Sequence, residues 1–516
     1  MSNFMSAVQN TLNNEKSITE NGAVGYRTTG HELLDLNFQV ASLRRAADTE
    51  IAEKFERAFF ENKAAAMRWL FFARDVRGGL GERRLFRVVV EHMAKTMPEY
   101  IMPLIALIPE YGRFDDLWPL LDTGARKEVV RYVTAQLHKD CNNYAAGKPY
   151  SLLAKWLPSS NASSDKTKHY ASLIYRGLEL KESEYRRLLS KLRKRLDVVE
   201  RKMSSKDWGE IRYEAVPSRA NLLYNGAFLR NDENRRRAYL ASLEKGETKI
   251  NAGTLYPHDI VHKYEGGYWR DLKDYDATLE QLWKALPDTV KGNGNTIVVA
   301  DGSGSMMTRI GGSSVTALEV ANALAIYFAE RSSGEFRDKY ITFSARPQLV
   351  DLSSGKNLRE KLLIALNHNE CANTNVEAVF DLILQTAVSN RMPQEDLPQN
   401  ILILSDMEFD SCAACNATAD GWMGRGGLSR TLFDEIAAKY AAHGYKIPRL
   451  VFWNLNSRTG TIPVRENDLG VALVSGFSVN IVNMVMSGKL DPYECLLDAI
   501  NVERYDPIVE ALKDVL

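Results

Sequence analysis

The stretch "VVADGSGSMM", Val298 to Met307, decides how the second half of the chain is read. An apolar run stops at an acid, and glycine then alternates with serine: Asp301, Gly302, Ser303, Gly304, Ser305. Outward from it, "KYITFS" (339–344), "NILILSD" (400–406), "RLVFWNL" (449–455) and "VALVSG" (471–476) are further short β-rich runs. Helical stretches at 316–332, 357–366, 375–389 and 428–442 lie between them. Apolar strands alternating with helices predict an α/β, Rossmann-like unit, a mostly parallel sheet with helices on both faces. Ligands of such sheets bind beyond the carboxyl ends of strands, where Asp301 falls.

The chemistry of this loop narrows by elimination. A phosphate-binding loop needs a lysine at a fixed spacing after its glycines, and none follows. A nucleophile elbow built on Ser303 needs a later acid and then a histidine, and the position of His443 does not suit that role. A hard divalent cation such as Mg²⁺ wants oxygen ligands at about 2.0–2.1 Å. Asp301, Ser303 and Ser305 supply part of that shell. Asp406 ends its own strand in "LSDME", and Thr374 sits in "NTNVEA" (373–378) before a helix.

This series, Asp-x-Ser-x-Ser, then a threonine, then an aspartate, resembles the metal-ion-dependent adhesion site of von Willebrand factor A domains. The resemblance implies a Mg²⁺ or similar ion with Ser303, Ser305 and Thr374 as direct ligands. Asp301 and Asp406 would bind the ion or its waters. One coordination position would be left for the carboxylate of a protein partner. Asn375 stands where that family often has an aspartate.

The first half has a different grammar. Residues 1–30 are polar and glycine-punctuated and read as an arm. From 31 to about 245 helical patterns repeat, broken by short loops such as "RGGLGE" (77–82) and "PEYGRFDD" (109–116). Stacked helix pairs, an all-α HEAT-like array, are the expectation. "KGNGN" (291–295) closes a connector and marks the boundary. The chain is thus read as an arm (1–30), a helical domain (31–290) and an α/β domain (291–516), within the two to four domains that 516 residues suggest.

"SEYRRLLSKLRKRLDVVERKM" (183–203) is the most informative helical stretch. Tyr185, Leu188, Leu189, Leu192, Leu196 and Val199 share one face, with Ser183 as a plausible N-cap and Glu184 suiting the positive helix end. The rest of its surface carries Arg186, Arg187, Lys191, Arg193, Lys194, Arg195, Arg201 and Lys202. Charge this dense invites phosphates, whose binding gains from counterion release. Further arginines, among them Arg212, Arg219, Arg230 and Arg235 to Arg237, interleave with Tyr213, Tyr224 and Phe228. Those rings either stack unpaired bases or belong to the core, with the arginines paired to neighbouring acids.

The order of "FFARDVRGGLGERRLFR" (71–87), "LIPEYGRFDDLW" (107–118), "LAKWLPS" (153–159) and "EYRRLLSKLRKRLDVVE" (184–200), followed by the α/β unit, resembles TROVE-related proteins of the Ro ribonucleoprotein type. That resemblance, to an uncharacterised branch, implies a helical ring closed by a von Willebrand A domain. It implies capture of structured or single-stranded RNA. In that picture Arg77, Arg83 and Arg84, around "RGGLGE", could face the ring's cavity; the same loop reads equally well as a helix-capping turn.

Bulk properties set the remaining bounds. Lys+Arg and Asp+Glu both total 66, yet residues 1–290 carry seven more basic than acidic side chains and the remainder seven more acidic than basic ones. That asymmetry suits a nucleic-acid-facing half and a cation-facing half. Five unevenly spaced cysteines fit a reducing, cytoplasmic setting rather than a disulfide framework. No signal-like or membrane-length apolar segment is visible. "HDIVH" (258–262) resembles a zincin motif without a third ligand, and "CAAC" (412–415) lacks a second pair for zinc. No positioned base or nucleotide loop supports an enzyme. The reading is an RNA-binding protein with a Mg²⁺ site; the competing one is a protein-interaction scaffold that uses the metal alone.

Overall fold

The apolar runs of the second half become strands of one sheet. The computed structural model describes residues 16–19, 24–266, 271–290, 296–343, 347–369, 376–408, 432–458, 460, 462, 471–479 and 491–516. β1 (Lys16–Ile18) and β2 (Val24–Tyr26) form a small antiparallel pair. β3 (Thr296–Asp301), β4 (Lys339–Phe343), β5 (Gln348–Asp351), β6 (Asn400–Ser405), β7 (Arg449–Asn454) and β8 (Val471–Ser475) make a six-stranded sheet in the order β5-β4-β3-β6-β7-β8. All neighbours are parallel except β4 and β5. The sheet is therefore mixed and doubly wound, and its winding reverses between β3 and β6.

The helix Ala317–Arg331 is buried from Ala317 to Ala329 and lies against β3, β4 and β6. A helix apolar on all sides belongs in a core, and its many alanines let it approach the sheet closely. Its start is fixed by a capping box, in which Thr316 Oγ1 accepts from the Glu319 N–H and Glu319 Oε1 accepts from the Thr316 N–H, both at 3.2 Å. Such a cap contributes about 1 kcal/mol.

The chain divides into two compact units that are discontinuous in sequence: 1–47 with 252–499, and 48–251 with 500–516. The sequence reading cut at 30 and 290 instead. Residues 32–47 go with the sheet because Asn454 Nδ2 donates to the Phe38 carbonyl at 2.9 Å and the Ala41 N–H donates to Ser475 Oγ at 3.0 Å. The last residues go with the helices because Arg504 pairs with Asp75, and Tyr505 donates its hydroxyl proton to the same carboxylate at 3.2 Å.

The helical unit comprises, among others, the helices Asp48–Glu61, Lys63–Arg74, Arg83–Thr96, Arg126–Ala145, Asp165–Gly177, Glu182–Arg195, Ser218–Asn231 and Glu233–Glu244. Between the second and third, "RGGLGE" folds back onto the helix it follows: the Leu80 N–H donates to the Phe72 carbonyl at 3.0 Å and the Glu82 N–H to the Ala73 carbonyl at 2.7 Å. It is a helix-capping turn. Gly79 is required there, since a Cβ would stand 1.9 Å from the Phe72 carbonyl oxygen. Beside it, fully buried Asp116 takes Arg74 Nε at 2.9 Å, Arg87 Nε at 2.6 Å and the Arg113 N–H at 2.9 Å. No helix among the described residues is long and apolar enough to cross a membrane.

Removing one partner of a buried ion pair strands the other charge, at a cost of about 3–5 kcal/mol. Asp116→Ala leaves the guanidinium of buried Arg74 in that state. Urea titration followed by circular dichroism is expected to show the helical unit destabilised by that order. A loss under ~1 kcal/mol would contradict the assigned role.

Candidate metal centre and basic groove

Strand register builds the first site. Ala300 pairs with Leu404, so Asp301 and Asp406 emerge beyond adjacent strand ends, at the point where the winding reverses. Asp301 is buried; its Oδ2 accepts from Ser405 Oγ at 2.7 Å and its Oδ1 from the Ser303 N–H at 2.9 Å. That second bond turns the loop so that the Ser303 and Ser305 hydroxyls hydrogen-bond to each other at 2.9 Å. Two oxygens on neighbouring vertices of an octahedron with bonds of about 2.05 Å are about 2.9 Å apart. Asp406 is fully buried, and its Oδ2 has no hydrogen-bond partner. Its nearest cationic group is Arg458 Nη2 at 3.5 Å.

Both carboxyls are held above the ordinary carboxylate range. For Asp301 the cause is burial first and the charge of Asp406 second, with the Ser405 and Ser303 hydrogen bonds opposing. For Asp406 it is again burial first, opposed by the Ser305 hydroxyl and the Glu408 N–H. Two buried carboxyls, one with an oxygen that has no hydrogen-bond partner, beside two hydroxyls form a donor set that fits a hard divalent cation.

Residues that the sequence reading did not single out hold this cluster. Met407 adopts φ +64°, a left-handed conformation uncommon for a residue with a side chain, and its N–H donates to Ser405 Oγ at 3.0 Å. The bend sends buried Glu408 to the end of β7, where its Oε1 accepts from the Arg458 N–H at 2.9 Å. Asn456 Nδ2 ties the same loop to Thr308 Oγ1 at 2.9 Å. "SDMEF" and "NLNSR" carry these residues, and the only sequence signal was their position after apolar runs. Thr374 lies outside the described residues, as do Asn375, Cys412 and Cys415.

The second site is basic and lies within the helical unit. Its helix begins at Glu182 and is capped at Lys181 rather than at Ser183; Glu184 Oε2 accepts from the Lys181 N–H at 2.8 Å. It ends at Arg195, and the next helix, Val199–Ser204, starts after a break in which Asp197 pairs with Lys202 at 2.6 Å and Arg212 at 3.1 Å. Arg186, Arg187, Lys194 and Arg201 converge on a groove of about 750 Å³ together with Ser159, Ser160, Ser183, Ser190 and Arg193. These four cations are exposed and make no ion pair or hydrogen bond among the described residues. The Ser160 hydroxyl is buried and has no partner.

The other candidate cations, Arg77 apart, are engaged by neighbouring groups of the fold. Arg193 donates to the carbonyls of Ala154 at 2.8 Å and Leu157 at 2.6 Å and to Ser159 Oγ at 2.9 Å. Lys191 and Arg195 sit over the ring of Tyr144. Lys202 also reaches the Glu210 carbonyl at 2.9 Å. Arg84 pairs with Asp48, Arg83 stands 4.0 Å from Asp115, and Arg77 is exposed on its turn. Tyr213 and Phe228 are core residues around buried Arg236, so they present no stacking surface. In "HDIVH" the histidines part: buried His258 stacks on Tyr256, while His262 faces Glu319.

Comparison with known proteins adds two family models. Residues 295–506 match a Domain of unknown function (DUF7788), and residues 126–296 match a Domain of unknown function (DUF2828). The first spans the acidic strand ends and the second the basic groove. An uncharacterized protein of Acanthamoeba polyphaga mimivirus is 29% identical over 532 residues, covering 95% of this chain and 88% of that protein. The crystal structure of the Deinococcus radiodurans RO (RSR) protein aligns over 94% of this chain and 93% of that one, at 13% identity and a TM-score of 0.33. A likeness that slight carries no argument about fold or function.

A raised carboxyl pKa means that a proton competes with the cation, so cation binding strengthens as pH rises and those protons leave. Saturating Mg²⁺ is expected to raise the melting temperature at pH 8 more than at pH 5.5. Asp406→Asn should abolish the rise at both. A Mg²⁺ response identical in wild type and variant would remove the site.

Proposed function

We propose that this chain is a non-enzymatic RNA-binding protein. The helical unit takes structured or single-stranded RNA by its phosphates, and the α/β unit carries a Mg²⁺ site of adhesion type. The observation that carries the reading is the groove over residues 159–201, where four unpaired cations and several serine hydroxyls face one space. Unpaired guanidinium and ammonium groups repel one another unless an anion joins them. A phosphate offers several acceptor oxygens to such a fork of donors. The volume suits something of nucleotide size rather than a lone ion.

Charge supports the same assignment. The helical unit has 40 basic against 32 acidic side chains, and the α/β unit has 26 against 34. A basic unit attracts nucleic acid, and an acidic one attracts cations. In the α/β unit, Asp301, Ser303, Ser305 and Asp406 would hold the ion, with Thr374 as the expected further ligand. The open coordination position would take an anionic oxygen, a partner's carboxylate in the adhesion-site picture. The ion there supplies a charge for recognition, while the chain's own residues fix where it sits.

Binding to labelled structured and single-stranded RNAs, measured across a salt series, tests the proposal. Glutamate at positions 186, 187, 194 and 201 should weaken binding. It should also flatten the dependence of log affinity on log salt, by about 0.7 for every phosphate of a single strand that is no longer neutralised. Arg193→Ala should instead lower thermal stability, because its donors serve the fold. No RNA binding by the wild type at low salt, with Mg²⁺ stabilisation intact, would leave the protein-interaction scaffold as the reading.

A further inference from the structure

A second group of metal-ligating side chains lies elsewhere in the α/β unit, away from the acidic strand ends in sequence and in chemistry. His262 belongs to the helix Pro257–Tyr264, and Glu265 caps the end of that helix. Glu319 is the third residue of the helix Ala317–Arg331. His262 Nδ1 stands 2.6 Å from Glu319 Oε2 and 3.7 Å from Glu265 Oε2. One ligand atom from each of the three lies within 4.8 Å of the others.

Each ligand is held from behind. The capping box occupies Glu319 Oε1 and leaves Oε2 facing His262. His262 Nε2 lies 3.0 Å from Ser314 Oγ, a hydroxyl that can accept a proton from Nε2 once an ion takes the place of the proton between Nδ1 and Glu319. Metal-bound histidines are oriented in this way, by a hydrogen bond from the nitrogen that does not bind. Glu265 and Glu319 also line a cavity of about 300 Å³ with Ser314, Thr316 and Asn322. Asn322 is 2% exposed and lines the same cavity. Its amide gives that wall a donor and an acceptor.

We propose that His262, Glu265 and Glu319 bind a borderline divalent transition ion, of which Zn²⁺ is the type. The open position of the ion faces the cavity, where Asn322 meets a water or a small oxygen ligand held on the metal. One imidazole with two carboxylates suits Zn²⁺, which takes three protein ligands and an open fourth position at exchangeable sites. Mg²⁺ prefers oxygen alone, so the two sites of this unit differ in the ion they select.

The test uses the full chain stripped with a chelator, with Zn²⁺ affinity read by competition against a chromophoric chelator. The wild type is expected to take up one Zn²⁺ that Asp301→Ala retains. His262→Gln and Glu265→Gln should each weaken that uptake at least tenfold. Glu265→Gln lies at a half-exposed helix end and leaves the capping box intact, so it guards against a folding artefact in the histidine variant. X-ray absorption at the zinc edge should show one imidazole nitrogen and oxygen neighbours at about 2.0–2.2 Å. No uptake by the wild type, or uptake unchanged in either variant, overturns the proposal. In that case the histidine serves only as the hydrogen-bond partner that joins Glu319 to its own helix.

Discussion

The α/β unit is organised around two carboxyl groups forced together by strand register. Pairing of β3 with β6 puts Asp301 and Asp406 side by side and buried, with Arg458 Nη2, 3.5 Å from Asp406 Oδ2, as the nearest counter-charge. Desolvated like charges cost several kcal/mol unless something offsets them. The chain offsets part of this with hydrogen bonds from Ser405, Ser303 and the Glu408 N–H. It leaves Asp406 Oδ2 unmet. The surrounding loops are then explicable as supports: the left-handed turn at Met407 and the Thr308 to Asn456 bond fix the geometry that the unmet oxygen requires. Strain and desolvation are held at one place here by the rest of the fold, and the proposed cation would offset both.

The helical unit shows the opposite treatment of charge. Its interior arginines are satisfied in place, Arg74 and Arg87 on Asp116, and Arg193 on two carbonyls and a serine. Among the described residues, four unpaired cations meet in one groove. A helix carrying six cations between Arg186 and Arg195 has thus been sorted by its neighbours. Arg193, Lys191 and Arg195 serve the fold or lie over Tyr144, while Arg186, Arg187 and Lys194 stay open, joined by Arg201 from beyond the break. Sequence density alone overstates the binding surface, because an arginine's five donors are equally suited to backbone carbonyls.

This sorting marks what the amino-acid sequence could and could not reveal. The central strands of the sheet were legible because continuous apolar runs ending near Asp301, Asp406 and Asn454 sit between helical patterns. The edge strand β5 was not, since "QLVD" is short and only one of its residues is buried. Serines and acids around Asp301 could be grouped because their oxygen chemistry is common to all of them. Glu408, Asn456 and Arg458 could not, because their role depends on β6 and β7 being neighbours, which no local pattern encodes. The attachment of residues 32–47 to the sheet and of 500–516 to the helices was invisible for the same reason. Both rest on pairings between residues hundreds of positions apart, such as Phe38 with Asn454 and Asp75 with Tyr505.

Glu319 shows how far one residue's local role can hide its distant one. From the sequence it completes "TALE" (316–319), a capping box that any helix start could carry. That reading accounts for one carboxylate oxygen only. The other is aimed by the cap itself, since a carboxylate anchored through Oε1 at the first turn of a rigid, buried helix has little rotational freedom left. His262 arrives opposite it because its own helix starts at Pro257, with Asp259 accepting from the Tyr256 N–H at 3.0 Å. Two helix caps, each ordinary alone, therefore set the distance between an imidazole and a carboxylate. The pre-organisation a metal site needs can come from elements whose first duty is to begin a helix.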